Sequence, residues 1–196
     1  PGLSATTTSL NKVASVDVIR GYFYDEDSDI YYWVVKDKAY YLQPSVSAVA
    51  VLMFTLGTTT GDVGFASFAK STGEVYTLMS DGVTLHQQRI RPTIAAMAAV
   101  VDPDLPTPHT PCISVLDGYV FLSKGNTLYN SDNDTFDAWT AGNDIDCEMS
   151  SDDIRYHYQN KNYIVAIGYN SLEIFWDAAN ATGSPLSRND SGFKSI

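Results

Sequence analysis

Residues 113–131 carry the clearest secondary-structure pattern in the chain and read ISVLDGYVFLSKGNTLYNS. Two turn-like segments, Asp117-Gly118 and 124–126, separate three runs that are rich in aromatic and aliphatic residues. An Asp-Gly pair between two such runs is the strongest short-range signal of a β-hairpin. We therefore predict three consecutive antiparallel strands in this stretch.

The same alternation of strand-like runs and turns occurs in four units, which we place at 18–44, 61–88, 113–140 and 154–188. Their middle strands recur at intervals of ~30 to 55 residues, a spacing compatible with β-propeller blades. Because the interval varies, a β-sandwich is the alternative. We expect residues 1–196 to form one all-β region of antiparallel meander strands. Since the chain does not begin with Met, we interpret it as processed, tag-trimmed or partial.

Two segments between the units depart from the strand pattern. Residues 93–100 are rich in alanine, which favours a short helix. Residues 102–111 contain four prolines, which favour extended backbone. We therefore expect a short helix followed by an extended loop.

Acidic residues dominate the charge of the chain. The 23 Asp and Glu against 12 Lys and Arg give a formal net charge of -11. A surface of this sign repels phosphates, which disfavours tight binding of nucleic acid. The longest apolar stretches, 46–56 and 94–101, are shorter than the ~20 residues of a membrane-spanning helix, so no span is expected.

Side chains that could bind metal or act in catalysis form no recognisable local motif. His86, His109 and His157 lie far apart, and Cys112 and Cys147 lack CxxC spacing. We therefore expect ordinary histidines and thiols, with no cofactor and no metal ion.

An acidic segment at residues 25–29, DEDSD, matches the opening of a calcium-binding loop. However, Ile30 stands where such a loop needs glycine, and Lys36 stands where it needs glutamate. A solvated hairpin tip is the simpler interpretation.

A second acidic region could supply the pair of carboxylates that cleaves glycosidic bonds. An acidic run of this kind is usually a solvated surface, so we predict that the protein is not an enzyme. The candidate residues are Asp132, Asp134, Asp137, Asp144, Asp146, Glu148, Asp152 and Asp153.

The last third of the chain contains a more specific succession of motifs. Residues 131–139 read SDNDTFDAW, residues 163–176 read YIVAIGYNSLEIFW, and residues 185–188 read PLSR. This succession resembles the packaged-DNA stabilisation protein, or tail nozzle (tail hub) protein, of short-tailed bacteriophages. The residues that occupy places in that family's motifs are Ser131, Asp134, Trp139, Gly168, Ser171, Glu173, Phe175, Gly183, Pro185 and Arg188.

The resemblance is strongest over 113–188 and faint over 45–111, and residues 1–3 and 18–21 also look like the start of that family. It implies a structural virion protein of the phage tail, of which this chain would be the N-terminal half. Such a subunit would form a hexameric ring below the portal and adaptor, next to a fibre or needle. The ring would retain packaged double-stranded DNA and conduct it at ejection, and an acidic wall would let DNA slide without binding it.

The resemblance also implies that a half-propeller's exposed edges are covered by a second fragment or by neighbouring subunits. Loop 102–111 is then a candidate for a constriction or an inter-subunit arm. Glu173 is expected to be a buried partner for an arginine or a backbone group. Trp139, Phe175 and Trp176 are expected to be core aromatics.

Two other functions fit the sequence. The first is a glycan-binding or glycan-cleaving β-domain of a phage or secreted protein, and the second is a propeller that serves only as a scaffold for protein interactions. A carboxylate pair in an aromatic-lined groove would favour the glycan function, whereas acidic loops without a pocket would favour the ring that conducts DNA.

Overall fold

The computed structural model describes residues 18–150 and 152–195, which form four antiparallel sheets. Blade 1 contains β1 (Ile19–Asp25), β2 (Ile30–Val35), β3 (Lys38–Leu42) and β4 (Val51–Thr55). Blade 2 contains β5 (Gly64–Ala69), β6 (Val75–Ser80), β7 (Leu85–Arg91) and β8 (Ala98–Ala99). Blade 3 contains β9 (Ser114–Leu116), β10 (Tyr119–Lys124), β11 (Thr127–Ser131) and β12 (Trp139–Asp146). Blade 4 contains β13 (Tyr156–Asn160), β14 (Tyr163–Ile167), β15 (Ser171–Asp177), β16 (Leu186–Arg188) and β17 (Lys194–Ser195).

The strands of each blade follow one another as a meander, and in blade 4 the last strand β17 returns to pair with β15. The first strands of successive blades contact each other in the order β1, β5, β9 and β13. These strands are therefore innermost, and the sheets are arranged as the four blades of a β-propeller. The prediction of an all-β protein made of propeller blades is confirmed.

Each expected unit overlaps one blade and includes most of its first three strands. The fourth strands β4 and β8, and most of β12, lie outside the expected units. β8 contains only Ala98 and Ala99, β12 is mostly polar, and β4 (VLMFT) is a continuous apolar run. Their sequences carry little of the alternation that marks the inner strands.

Apolar side chains fill the spaces between neighbouring blades. Tyr32 lies in a cluster between blades 1 and 2, Phe68 in one between blades 2 and 3, and Phe121 in one between blades 3 and 4. Burial of one such side chain contributes about 1.5 to 3 kcal/mol. The packing of blade against blade therefore forms the core.

The helix expected over 93–100 is absent. Ala98 and Ala99 pair with β7, Gln88 donates a hydrogen bond to the Ala95 carbonyl, and Met97 is buried between blades 1 and 2. So short a helix is marginal by itself even when it is rich in alanine. Strand pairing and the burial of Met97 therefore outweigh the local helix propensity.

Two glycines allow the inner strands to approach the neighbouring chain. A Cβ at Gly21 in β1 would lie 2.1 Å from the Val63 carbonyl oxygen, and one at Gly64 in β5 would lie 1.9 Å from that of Pro111. Both contacts join an inner strand to the segment that leads into the next blade. The spacing of the blades therefore requires a residue without a side chain at these places.

We predict that Gly64→Ala destabilises the protein by about 2 to 3 kcal/mol, because the methyl group forces the backbone of β5 away from residue 111. Gly57→Ala is the control, since nothing lies within 4 Å of the position of its added Cβ. The control should change stability by less than about 0.5 kcal/mol. Urea unfolding measures both, and equal stabilities of the two variants would contradict the close approach.

Candidate functional site

The ten residues of the sequence resemblance all lie in blades 3 and 4 or in the loops between their strands. Ser131 lies where β11 ends, where its hydroxyl accepts a hydrogen bond from the Val120 amide at 3.0 Å and donates one to the Thr135 carbonyl at 2.7 Å. Trp139 begins β12, is buried, and donates from its indole nitrogen to the Phe136 carbonyl at 3.0 Å. Together these contacts fix the loop 132–138.

Asp134 connects blade 3 to blade 2. Its carboxylate accepts hydrogen bonds from the Ser71 amide at 2.7 Å and the Ser71 hydroxyl at 2.5 Å. Ser71 belongs to the turn between β5 and β6, and its two hydrogen bonds lower the pKa of Asp134. Asp134 therefore anchors loop 132–138 to the neighbouring blade.

Glu173 and Arg188 form an ion pair at the junction of blades 3 and 4. Glu173 is 2% exposed, and its Oε2 lies 3.0 Å from Nε of Arg188. Its Oε1 accepts a hydrogen bond from the Met149 amide at 3.0 Å. The Arg188 guanidinium also pairs with Glu148 and donates to the Asp146 carbonyl at 2.8 Å. Glu173 is thus a buried partner of both an arginine and a backbone amide.

Gly168 and Ser171 surround the carboxylate of Asp152. The Asn170 amide and the Ser171 hydroxyl donate to Oδ2 of Asp152 at 2.5 and 3.2 Å. A Cβ at Gly168 would lie 2.5 Å from the same oxygen. Asp152 therefore secures the turn between β14 and β15 and leaves no room for a side chain at residue 168.

The remaining motif residues lie in and after β15. Phe175 is fully buried between blades 3 and 4, Gly183 has a φ of 73°, and the Pro185 carbonyl accepts from the Ala178 amide at 2.9 Å. The expectation that Trp176 is a core aromatic is wrong, since 44% of its surface is exposed. Successive residues of a strand point to opposite faces, so Trp176 lies on the face away from Phe175.

Six of the eight candidate glycosidase carboxylates accept hydrogen bonds from nearby polar groups or pair with arginine, mostly within loops. The carboxylates in these contacts are those of Asp132, Asp134, Asp137, Asp146, Glu148 and Asp152. Their contacts account for the acidic residues as parts of the local structure.

A different pair of carboxylates, Asp117 and Asp177, lies close together on the surface. A hydrogen bond between the two side chains is the main cause of a raised pKa for Asp117. The interaction is a local contact between the β9–β10 turn and the end of β15.

Two buried serine–histidine pairs were not foreseen from the sequence. His109 donates from Nδ1 to the Pro106 carbonyl at 2.7 Å, so its Nε2 accepts from the Ser80 hydroxyl at 2.8 Å. His157 Nδ1 lies 2.8 Å from the Ser114 hydroxyl. The arrangement of Ser80 and His109 resembles a nucleophile with its base, but Ser80 is 0% exposed and a substrate has no access to it.

Another interaction that was not foreseen involves Arg20 in β1. Its buried guanidinium donates to the carbonyls of Lys36, Thr58, Thr60 and Gly61 at 2.6 to 2.8 Å. It thereby ties the loop that leads into blade 2 to blade 1. In the sequence Arg20 is only a basic residue beside Gly21. Nothing in that pattern indicates that most of its hydrogen-bond partners lie about 40 residues further along the chain.

The two cysteines are free thiols. Burial raises the pKa of Cys147 to about 12, with a further contribution from the nearby Glu173 carboxylate, and burial also raises the pKa of Cys112. A thiol must lose its proton to act as a nucleophile or a metal ligand. These environments favour unreactive thiols.

Two grooves lie along the proline-rich loop. A groove of about 540 Å³ is lined by residues 102–107 and by 139–143, and one of about 460 Å³ is lined by residues 108–111 and by 153–156. The loop lies on the blades, because the His109 amide donates to the Gly82 carbonyl and the Thr110 amide donates to the Ser123 carbonyl.

Within residues 18–150 and 152–195, no group of three His, Cys, Asp or Glu side chains could hold a metal ion. The same residues contain no helix long and apolar enough to span a membrane.

No protein-family model matches the chain, and no curated protein matches it. Its structure is similar to that of streptogramin B lyase, with a TM-score of 0.53 and 13% sequence identity over 87% of this chain and 53% of that one. It is also similar to a chain in the structure of apo ctPRC2 in an autoinhibited state, with a TM-score of 0.51 and 9% identity over 93% of this chain and 45% of that one. The chain therefore spans about half the length of these propeller-like structures. At such identities the similarity shows the fold alone, and the fold does not decide whether the chain is an enzyme.

We predict that Glu173→Gln lowers the free energy of unfolding by about 2 to 3 kcal/mol, because Arg188 loses its buried counter-charge. Glu148→Gln is the control, since the Glu148 side chain is 69% exposed and a surface pair contributes no more than about 1 kcal/mol. Thermal and urea unfolding of the two variants give the comparison. A larger loss in Glu148→Gln than in Glu173→Gln would be inconsistent with the buried pair.

A second prediction concerns His157, whose burial lowers its pKa from 6.5 to about 4. Between these pH values the unfolded chain binds a proton that the folded chain does not, so the protein loses stability as the pH falls from 6.5 to 4. The loss is about 3 kcal/mol for this one group. Urea unfolding of His157→Asn should show a flatter pH dependence, whereas Ser114→Ala should keep the slope. An unchanged slope in His157→Asn would contradict the assignment.

Proposed function

We propose that the chain is a structural subunit of the tail nozzle of a short-tailed bacteriophage, located in the virion. In this role copies of the subunit form a hexameric ring below the portal and adaptor, next to a fibre or needle. The ring retains packaged DNA and conducts it during ejection. The proposal starts from the resemblance over residues 113–188, and the fold supports it by supplying propeller blades.

The observation that carries the proposal is that all ten residues of the resemblance have roles in the folded structure, through contacts, burial or backbone conformation, and none lies in a reactive site. They fix loop 132–138, join blade 3 to blade 2, secure the turn after β14, and bury an ion pair between blades 3 and 4. Residues that fix loops and join neighbouring blades suit a mechanical role. A catalytic family would instead place reactive groups in an accessible groove.

The enzyme function has less support in the side chains. The Ser80–His109 pair is buried, and six of the eight candidate glycosidase carboxylates are engaged by nearby polar groups or by arginine. We therefore propose that the protein is not an enzyme. The glycan-binding alternative rests on two shallow grooves whose aromatic residues are mostly occupied in blade packing.

Charge is the second support for passage of DNA. Acidic residues cluster in the turn 25–29 and in the loop 132–138, and both lie at the ends of strands. Double-stranded DNA carries about one negative charge per 1.7 Å of its axis, so each basic residue in a channel would hold it. An acidic subunit leaves the duplex free to move.

The test of this proposal is the mass and symmetry of the native assembly, measured by light scattering and by imaging of single particles. We expect a six-fold ring with an open acidic lumen. A 30-base-pair duplex should remain unbound by the chain in a mobility-shift assay at physiological salt, because no counterions would be released. Glu26→Lys with Asp27→Lys should introduce salt-dependent binding, and the matched changes to Gln and Asn control for loss of charge alone. A monomer, or tight binding of DNA by the unaltered protein, would overturn the proposal.

A further inference from the structure

Blade 1 exposes an aromatic face on the side away from blade 2. The side chains of Tyr32 and Val34 point towards blade 2, so the alternating residues of the sheet point outward. Tyr22 is 81% exposed, and Tyr24 and Tyr31 stack with their ring centroids 4.4 Å apart. We name this surface the blade-1 end face, and its residues are Tyr22, Tyr24, Tyr31, Trp33 and Tyr40.

Blade 4 exposes a similar face on the side away from blade 3. Ile164 and Phe175 point towards blade 3, and the alternating residues of β13, β14 and β15 point outward. Between 41% and 54% of the surface of each of its four large aromatic side chains is exposed. We name this surface the blade-4 end face, and its residues are Tyr156, Tyr158, Tyr163 and Trp176.

Elsewhere within residues 18–150 and 152–195, faces of this kind are covered by the neighbouring blade. Apolar clusters fill the spaces between blades 1 and 2, 2 and 3, and 3 and 4. The blade-1 end face is the side of a blade that a preceding blade would cover, and the blade-4 end face is the side that a following blade would cover. The two faces are therefore the opposite halves of one more such interface. A patch of exposed aromatic side chains marks a site of protein interaction.

The charges beside the two faces are complementary. The β1–β2 turn beside the blade-1 end face contains Asp25, Glu26, Asp27 and Asp29, whereas the β13–β14 turn beside the blade-4 end face contains Lys161 and no acidic residue. Each turn closes the first hairpin of its blade. The two turns would therefore lie side by side if blade 1 of one copy followed blade 4 of another.

We infer that copies of this chain associate head to tail, with the blade-4 end face of one copy packed on the blade-1 end face of the next. The contact repeats the blade-to-blade packing within the chain, and it puts Lys161 beside the acidic turn. A head-to-tail contact forms a closed ring when its rotation completes a full turn. Propellers typically close with about four to eight blades, so this packing completes the turn with two four-bladed copies. The six copies of the ring come from the proposed function alone.

Two variants of the 196-residue chain test the contact. Tyr22→Glu with Tyr31→Glu alters only the blade-1 end face, and Tyr158→Glu with Tyr163→Glu alters only the blade-4 end face. Light scattering should show closed oligomers for the unaltered chain and monomers for each variant, with affinity at least ~30-fold weaker because exposed aromatic anchors are lost. Val101→Glu is the control, because Val101 is 89% exposed and lies on neither face.

Mixing the two variants in equal amounts gives the decisive result. Each retains one intact face, so the mixture should form dimers and nothing larger. A face-to-face contact between identical surfaces would give no such complementation. An unaltered chain that remains monomeric, or a mixture that does, would overturn the inference and would favour further blades of a longer polypeptide as the cover of the two end faces.

Oligomers that use the predicted contact but have a copy number other than six would support the inference and contradict the hexameric ring. Circular dichroism establishes that every variant is folded.

Discussion

A propeller sheet has apolar side chains on both faces, and the need to cover both faces governs the rest of this structure. The three filled interfaces bury Tyr32, Phe68, Phe121 and their neighbours, while the first and last sheets each retain one aromatic face in contact with solvent. Exposed rings such as those of Tyr22 and Trp176 are therefore a property of the architecture. They are the same kind of surface that forms the core elsewhere in the chain.

The inner parts of the blades were predictable because their signals are local. Asp117 and Gly118 both adopt positive φ values, 47° and 83°, as a tight hairpin requires, and the strands on either side of them pair as the sequence indicated. The fourth strands were not predictable in the same way. β8 forms because β7 offers an unpaired edge and Met97 fills a space between blades, and neither cause is visible in an alanine-rich segment.

Apart from the expected burial of Glu173 against an arginine or a backbone group, the polar contacts between distant segments could not be read from the sequence. Asp134 meets Ser71 across 63 residues, and Arg20 meets the carbonyl of Gly61 across 41. Ser131, Glu173 and Arg188 were singled out through a resemblance. In the structure Ser131 fixes a loop, and Glu173 and Arg188 form a buried ion pair. The resemblance located these residues, whereas only the three-dimensional arrangement of the blades showed which partners they have.

The linear order of the blades also shapes how stability is distributed. Blades 2 and 3 have a neighbour on each side, whereas blades 1 and 4 have one, so the four sheets behave like a short stack with two weaker ends. Opening an outer blade breaks one interface, while opening an inner blade breaks two. A protein of this design stays rigid at its centre and opens first at its outer blades.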